Sequence, residues 1–337
     1  MIRRLCRDPL RLAAFSISLI AVAAVADAQD GGGVQRWTAD DGLPSSVVMS
    51  VAQTRDGFLW VGTDAGLARY DGRSWQLFDR STHPTLASNK ISALAADRGG
   101  YLWVGTHGGG LYRYDGVNFL PVSRPNQLGG PWRVTALMQQ EEGLLWVGTP
   151  QDLLFLPSSA NSLRYGLPGI SVTDLTLDPY GHVWASAGRG LFRQVQQTFQ
   201  TLSLPLGYES QPIYSLVMTR DGELLVGREG DLTRAQGDFE NTGLPQVVEP
   251  VPGVAGPVRR LLIDDGHRLV AGTDAEVLRL DAEGPTRLAA LPPSEEGRQR
   301  LYALLYDREG TLWIATEAGL IQIVDADGDD QPGLTIR

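Results

Sequence analysis

A five-residue hydrophobic phrase recurs seven times along the chain, beginning at Leu59 (LWVGT), Leu102 (LWVGT), Leu145 (LWVGT), Val183 (VWASA), Leu224 (LLVGR), Leu269 (LVAGT) and Leu312 (LWIAT), at intervals of 38 to 45 residues. Self-similarity at that period marks one supersecondary unit per repeat, and the unit reads as a four-stranded blade. An apolar run precedes each phrase, as in residues 47–51, 91–94, 134–137 and 301–305. Strands buried on both faces between neighbours have no need to alternate. Gly57, Gly100, Gly143, Gly181, Gly222 and Gly310 stand three residues before the second position of the phrase, where the chain must turn between two strands. GLARYDG from Gly66, GLYRYDG from Gly110, GLFRQ from Gly190 and GLIQI from Gly319 supply third strands, and SWQLF from Ser74 and NFLPV from Asn118 supply outer ones. The expected fold class is all-β: a seven-bladed β-propeller of four-stranded antiparallel blades. Val34 to Thr38 is placed to close it as the outer strand of blade seven, with Leu334 to Arg337 the competing segment.

The second position of the phrase is Trp60, Trp103, Trp146, Trp184 and Trp313, replaced by Leu225 and Val270 in blades five and six. Its period is that of the fold, so these tryptophans read as structural blade anchors, each stabilising by ~2–3 kcal/mol on burial. Six residues earlier stand Asp97, Asp178, Asp264 and Asp307, with Thr54, Gln140 and Thr219 in the other blades. Side chains recurring with the blade are expected to bind turn amides rather than act as catalytic acids. The D-x-x-G-x-L-W spacing from Asp97 resembles the Asp box of sialidases, but most copies lack the hydroxyl two residues before the aspartate.

Glycine makes up 40 of 337 residues, well above the average of ~7%, as many tight turns require. Residues 1–28 carry Arg3, Arg4 and Arg7, an apolar run and then Ala26-Asp27-Ala28, the form of a secretory signal with its cleavage site. The expected domains are a signal peptide over 1–28 and a propeller over 29–337, with a periplasmic location. The leader holds four arginines and two aspartates, so its removal takes the formal charge from −10 to −12. That charge disfavours nucleic acid and anionic membrane as partners. Cys6 lies in the leader and is the single cysteine, so the mature chain has no thiol and no cysteine metal site. Asp325, Asp327 and Asp329 match the first positions of a calcium loop, but Asp330 and Ile336 replace its glycine and glutamate, which favours a solvated turn. His83, His107, His182 and His267 show neither metal spacing nor a triad, so no cofactor or metal is expected.

Residues 38–72, TADDGLPSSVVMSVAQTRDGFLWVGTDAGLARYDG, closely resemble the two-component regulator propeller repeat, and KISALAADRGGYLWVGTHGGGLYRYDG from Lys90 matches it equally well. The likeness runs along the mature chain and weakens in blades four to six. It implies a periplasmic input module for a histidine kinase or diguanylate cyclase, standing outside the inner membrane. No membrane helix, phospho-acceptor helix, nucleotide-binding motif or GGDEF sequence follows blade seven. The expectation is therefore a stand-alone propeller or the front of a longer sensor, with a downstream signalling domain as partner and membrane association only through a further segment.

Positions entering the inner strands converge on one mouth of the channel. They are Asn89 and Lys90, Trp132 and Arg133, Arg259, and Arg300, with Tyr214 and Tyr302 just inside and His107 on a facing loop. Lys90 is the only lysine, and it falls with Arg133, Arg259 and Arg300 at equivalent points of four blades. Such a set favours a small anionic ligand, such as an acidic oligosaccharide, through bidentate guanidinium contacts, with Trp132, Tyr214 and Tyr302 stacking on sugar rings. The alternative is that these side chains cap the channel and pair with Asp64, Glu229, Asp274 and Glu317 in the facing loops. An exported, non-catalytic ligand-binding sensor is the leading functional reading. A propeller lyase or hydrolase using His107 and channel carboxylates, or a protein-interaction scaffold, is the alternative, because a fold does not dictate chemistry.

Overall fold

Strand β1 (Val34–Trp37) precedes the first blade, which is β2 (Val48–Gln53), β3 (Leu59–Thr63), β4 (Leu67–Tyr70) and β5 (Trp75–Phe78). Blade two is β6 (Ile91–Ala96), β7 (Leu102–Thr106), β8 (Leu111–Tyr114) and β9 (Phe119–Pro121). Blade three is β10 (Ala136–Gln139), β11 (Leu145–Gly148), β12 (Asp152–Leu156) and β13 (Arg164–Pro168). Blade four is β14 (Val172–Leu177), β15 (Val183–Ala187), β16 (Gly190–Val195) and β17 (Thr198–Leu202). Blade five is β18 (Ile213–Met218), β19 (Leu224–Arg228), β20 (Asp231–Gln236) and β21 (Val247–Ala255). Blade six is β22 (Val258–Ile263), β23 (Leu269–Thr273), β24 (Glu276–Asp281) and β25 (Gly284–Ala290). Blade seven holds β26 (Leu301–Tyr306), β27 (Leu312–Thr316) and β28 (Gly319–Ile323), and β29 (Leu334–Thr335) comes last.

The computed structural model describes residues 33–125, 131–140, 143–202, 211–239, 245–263, 267–291, 299–324 and 334–335. The leader with Cys6, the aspartate at 264 and the Asp325, Asp327 and Asp329 turn lie outside them.

Inner strands β2, β6, β10, β14, β18, β22 and β26 each touch both ring neighbours, β26 meeting β2, so the propeller is closed. Blade seven takes β1 as its outer strand, with Val34 opposite Ile323 and Trp37 opposite Leu320. The competing C-terminal segment runs parallel to β25, with Leu334 beside Ala289, and covers the outer edge of blade six instead.

The recurring phrase has a physical reason at each position. β3, β7 and β27 are buried along their whole length. The glycine of the phrase admits the next blade: a Cβ on Gly105 would stand 2.6 Å from Val134 Cγ1, and one on Gly62 the same distance from Ile91 Cγ2. The threonine closes the following loop. Thr63 Oγ1 donates to Gly66 O at 2.8 Å and accepts the Ala65 and Gly66 amides at 3.2 and 3.0 Å. Thr106, Thr149, Thr273 and Thr316 do likewise.

The tryptophan also finds a polar partner six residues back. Trp60, Trp146, Trp184 and Trp313 donate their indole N–H to Thr54, Gln140, Asp178 and Asp307 at 2.9, 3.1, 3.2 and 2.7 Å. The Trp103 indole N–H is buried without a hydrogen bond. The other carboxylate oxygen of Asp178 accepts the Tyr180 and His182 amides at 3.0 and 2.8 Å, and that of Asp307 accepts those of Glu309 and Thr311 at 3.0 and 2.8 Å. These aspartates therefore hold the turn and the anchor together.

Candidate functional site

Six of the seven inner strands begin with a slip in register against the second strand, between Val48 and Ser50, Ile91 and Ala93, Val172 and Asp174, Ile213 and Ser215, Val258 and Arg260, and Leu301 and Ala303. The unpaired residues are Met49, Ser92, Thr173, Tyr214, Arg259 and Tyr302. A bulge leaves one residue out of the ladder, so Tyr214, Arg259 and Tyr302 stand unpaired at the start of the inner strands of blades five to seven.

These three side chains belong to a dense network across blades five to seven. The Arg259 guanidinium makes two hydrogen bonds to Asp274, each 2.8 Å, and lies 3.7 Å from Glu229. Its Cζ stands 4.4 Å from the centre of the Tyr214 ring, a cation–π contact, while the Tyr214 hydroxyl donates to Glu229. Asp274 holds the guanidinium above its ordinary pKa. Burial raises the Tyr214 phenol, helped by the Glu229 carboxylate and opposed by Arg259. Burial likewise raises Tyr302, with Glu317 adding to the shift and Arg300 opposing it. The Arg300 amide donates to Glu317 Oε1 at 3.2 Å. Arg260 acts as a strut: its Nε donates to Tyr302 O at 2.6 Å and its Nη1 to Tyr214 O at 3.2 Å, joining blades five, six and seven.

A second group forms between blades two and three. His107 donates its backbone N–H to Lys90 O at 2.8 Å and pairs by backbone with Arg133, while the Gly108 and Gly110 amides donate to Trp132 O at 3.1 and 3.2 Å. Lys90, His107, Trp132 and Arg133 are thus neighbours through their main chain. Trp132 packs its indole onto Gly110, where a Cβ would stand 2.7 Å from Cζ2, so that ring covers backbone as well as facing the loop. Asn89 turns outward, its Oδ1 accepting the Arg80 amide at 2.9 Å. No hydrogen bond or ion pair among the described residues joins this group to the Arg259 network.

Sequence reasoning missed a cationic group at the opposite mouth. Arg55, Arg98 and Arg308 follow the turn residues Thr54, Asp97 and Asp307, and with Gln53, Ala96 and Asp97 they line a cavity of about 430 Å³. Their shared offset from the turn residue is the signal that would have found them. Among the described residues there is no cluster of three histidine, cysteine or acidic side chains able to hold a metal, and no helix long and apolar enough to cross a membrane.

The sequence model of the two component regulator propeller family matches residues 42–65 and 85–108, so blades one and two carry that repeat. No curated protein matches the chain. Among solved structures, the extracellular domain of the putative one component system BT4673 from B. thetaiotaomicron superposes with a TM-score of 0.67 at 22% identity, over 83% of this chain and 38% of that one. The extracellular domain of the putative hybrid two component system BT3049 from the same organism gives 0.71 at 17% identity, over 87% and 42%. Virginiamycin B lyase from Staphylococcus aureus gives 0.69 at 12% identity, over 87% of this chain and 99% of that one. The chain thus spans about two fifths of the extracellular domains it is similar to, and at these identities the likeness concerns the fold.

Proposed function

We propose that this propeller is the exported, non-catalytic input domain of a signalling system, and that it reads a small anionic ligand, such as an acidic oligosaccharide, at the channel mouth. The periplasm is the compartment this reading requires. The family repeat in blades one and two and the extracellular signalling domains of like fold support the sensory role. One observation carries the choice of ligand: Arg259 is neutralised by Asp274 and Glu229, whereas Lys90 and Arg133 have no ion pair among the described residues. Two cations on neighbouring segments without carboxylate partners favour a uronate-type group. The lyase reading rests on a likeness of fold, and it requires an acid and a base within reach of one substrate atom. The carboxylates nearest Arg259 are already committed to it.

Calorimetric titration of the full chain with trigalacturonate tests the reading. Arg133→Ala and Arg300→Ala are expected to weaken binding by about tenfold or more each, the loss of a charge-assisted pair. Undetectable binding by the unsubstituted chain, or affinity unchanged in both variants, would retire the proposal.

A further inference from the structure

On the face opposite that mouth, the interface between blades one and two is filled by rings. Trp60 lies 5.4 Å from Phe78 and 5.2 Å from Tyr114, and Tyr114 lies 4.7 Å from Phe119, centre to centre. The Arg69 guanidinium stands 5.6 Å from the Trp60 ring. Strand register carries each of these positions to the interface between blades five and six. Leu225 pairs with Arg234 as Trp60 pairs with Arg69. Leu280 opposes Leu269 as Tyr114 opposes Leu102, and Pro285 opposes Leu280 as Phe119 opposes Tyr114. The bulged stretch from Val251 to Gly253 takes the place of Phe78. Every ring of the first interface has lost its counterpart.

Leu225 is packed to 1% exposure, and beside it lies a cavity of about 1020 Å³ that it lines together with Arg234, Val251, Leu280 and Pro285. Phe78, Tyr114 and Phe119 are 2, 6 and 1% exposed in the filled interface, whereas Val251, Leu280 and Pro285 are half-buried here. Thr219 lines the cavity six residues before Leu225, in the place from which Thr54 accepts the Trp60 indole. A second observation points to the same spot. His267, also in the lining, holds φ at 65° in the turn position that glycine takes in the other six blades, with φ from 80° to 92°. A non-glycine residue kept in the left-handed region beside a cavity carries a backbone cost that the other six blades avoid.

From this geometry we infer that the cleft between blades five and six binds a planar bicyclic aromatic molecule bearing a ring N–H, a ligand that stands in for the missing tryptophan cluster. The volume is that of a small-molecule site, commonly ~300–1000 Å³. Aliphatic walls receive the ring faces, the Thr219 hydroxyl accepts the ring N–H, and Arg234 supplies the cation–π partner that Arg69 supplies elsewhere. Among the described lining residues Asp221, Glu223, Asp281 and Glu283 outnumber Arg220 and Arg234, so an ammonium-bearing ring is preferred to an acidic one. The site is independent of the channel mouth.

Titration of the full chain with 5-fluorotryptamine, followed by fluorine NMR, tests the inference. Saturable binding is expected. Leu225→Trp and Leu280→Tyr put back rings the cleft lacks and should weaken binding about tenfold or more. Thr219→Val should weaken it about three- to tenfold, the worth of one hydrogen bond. Absence of saturable binding overturns the inference, and so does unchanged affinity in whichever of the three variants fold by circular dichroism.

Discussion

Blades one and two and blades five and six are the same structure held by different means. The first pair closes its shared interface with Trp60, Phe78, Tyr114 and Phe119, and ends its second strands with the loop-closing Thr63 and Thr106. The second pair has Leu225 for the tryptophan, and blade five has Arg228 for the threonine. The Arg228 side chain is 2% exposed and grips Asp231 through Nη2 at 2.7 and 2.8 Å, so an ion pair holds the loop that a hydroxyl holds elsewhere. Polar ties between inner strands hold the ring at this point. Asp174 accepts from Ser215 Oγ and the Leu216 amide at 2.7 and 2.9 Å, Ser215 accepts the Leu261 amide at 3.0 Å, and Arg260 reaches blade seven. A closed ring spreads its cohesion over seven interfaces, so one of them can open into a cleft while the propeller stays shut.

The sharpest test is to empty both interfaces. Trp60→Ala removes a buried indole and its hydrogen bond to Thr54 and should cost about 4 kcal/mol. Leu225→Ala removes a smaller side chain, itself 1% exposed, and should cost about 2 kcal/mol, the low end for a buried leucine beside a cavity. Urea denaturation midpoints with their slopes measure both. Equal losses would mean that the two interfaces are packed alike, and the contrast would fail. The next effect is electrostatic. Asp231→Ala removes the carboxylate that Arg228 grips and should destabilise by about 2 kcal/mol, less than for a fully buried pair because Asp231 is partly exposed. Arg228→Thr, which reinstates the residue of the other blades, should cost less than Asp231→Ala in the same titration; the reverse order would mean that the arginine contributes through packing alone.

Most of the propeller could be read from the sequence because its repeat states the same physical demands in each blade. Gly105 and Gly62 are required by the approach of the neighbouring blade, and Thr63 and Thr106 by the loop. Asp178 and Asp307 bind turn amides, as their period implied, and also hold the tryptophan, which the period did not say. The N-terminal closure by residues 34–37 followed from element order. The mouth was legible only in part. Lys90, His107, Trp132 and Arg133 do meet through their main chain, but the register slips that leave Tyr214, Arg259 and Tyr302 unpaired make no mark in composition. Asn89 accepts the Arg80 amide, a tie that could not be read in advance, since nothing in the repeat says which way a side chain turns before a strand begins. The cleft at Leu225 was visible as a weakened repeat. Its volume was not, because it depends on three substitutions in three strands and a bulge in a fourth acting at one place.

The smallest effect concerns acid. Asp79 lies on the connection from blade one to blade two, beside Phe78, and His83 packs on both Phe78 and Phe119 with ring centres 5.2 and 5.3 Å apart. The Ser81 hydroxyl, the Thr82 amide and the Thr82 hydroxyl hold the Asp79 carboxylate down from 3.8 to about 2. Asp71 and Asp115, which cap turns of the same two blades, are lowered chiefly by the backbone amides of Ser74 and Asn118. A carboxylate with a depressed folded pKa stabilises the protein above its unfolded value, and that contribution fades as pH falls through the folded value. Asp79→Asn should therefore melt below the unsubstituted chain at pH 5, and the gap should close between pH about 4 and about 2. The same closing gap is expected in a Leu225→Ala background, because sites with no shared partners add. A gap that widens with acid, or one that disappears when Leu225 is truncated, would show that the two interfaces are coupled and that the ring answers as one body rather than blade by blade.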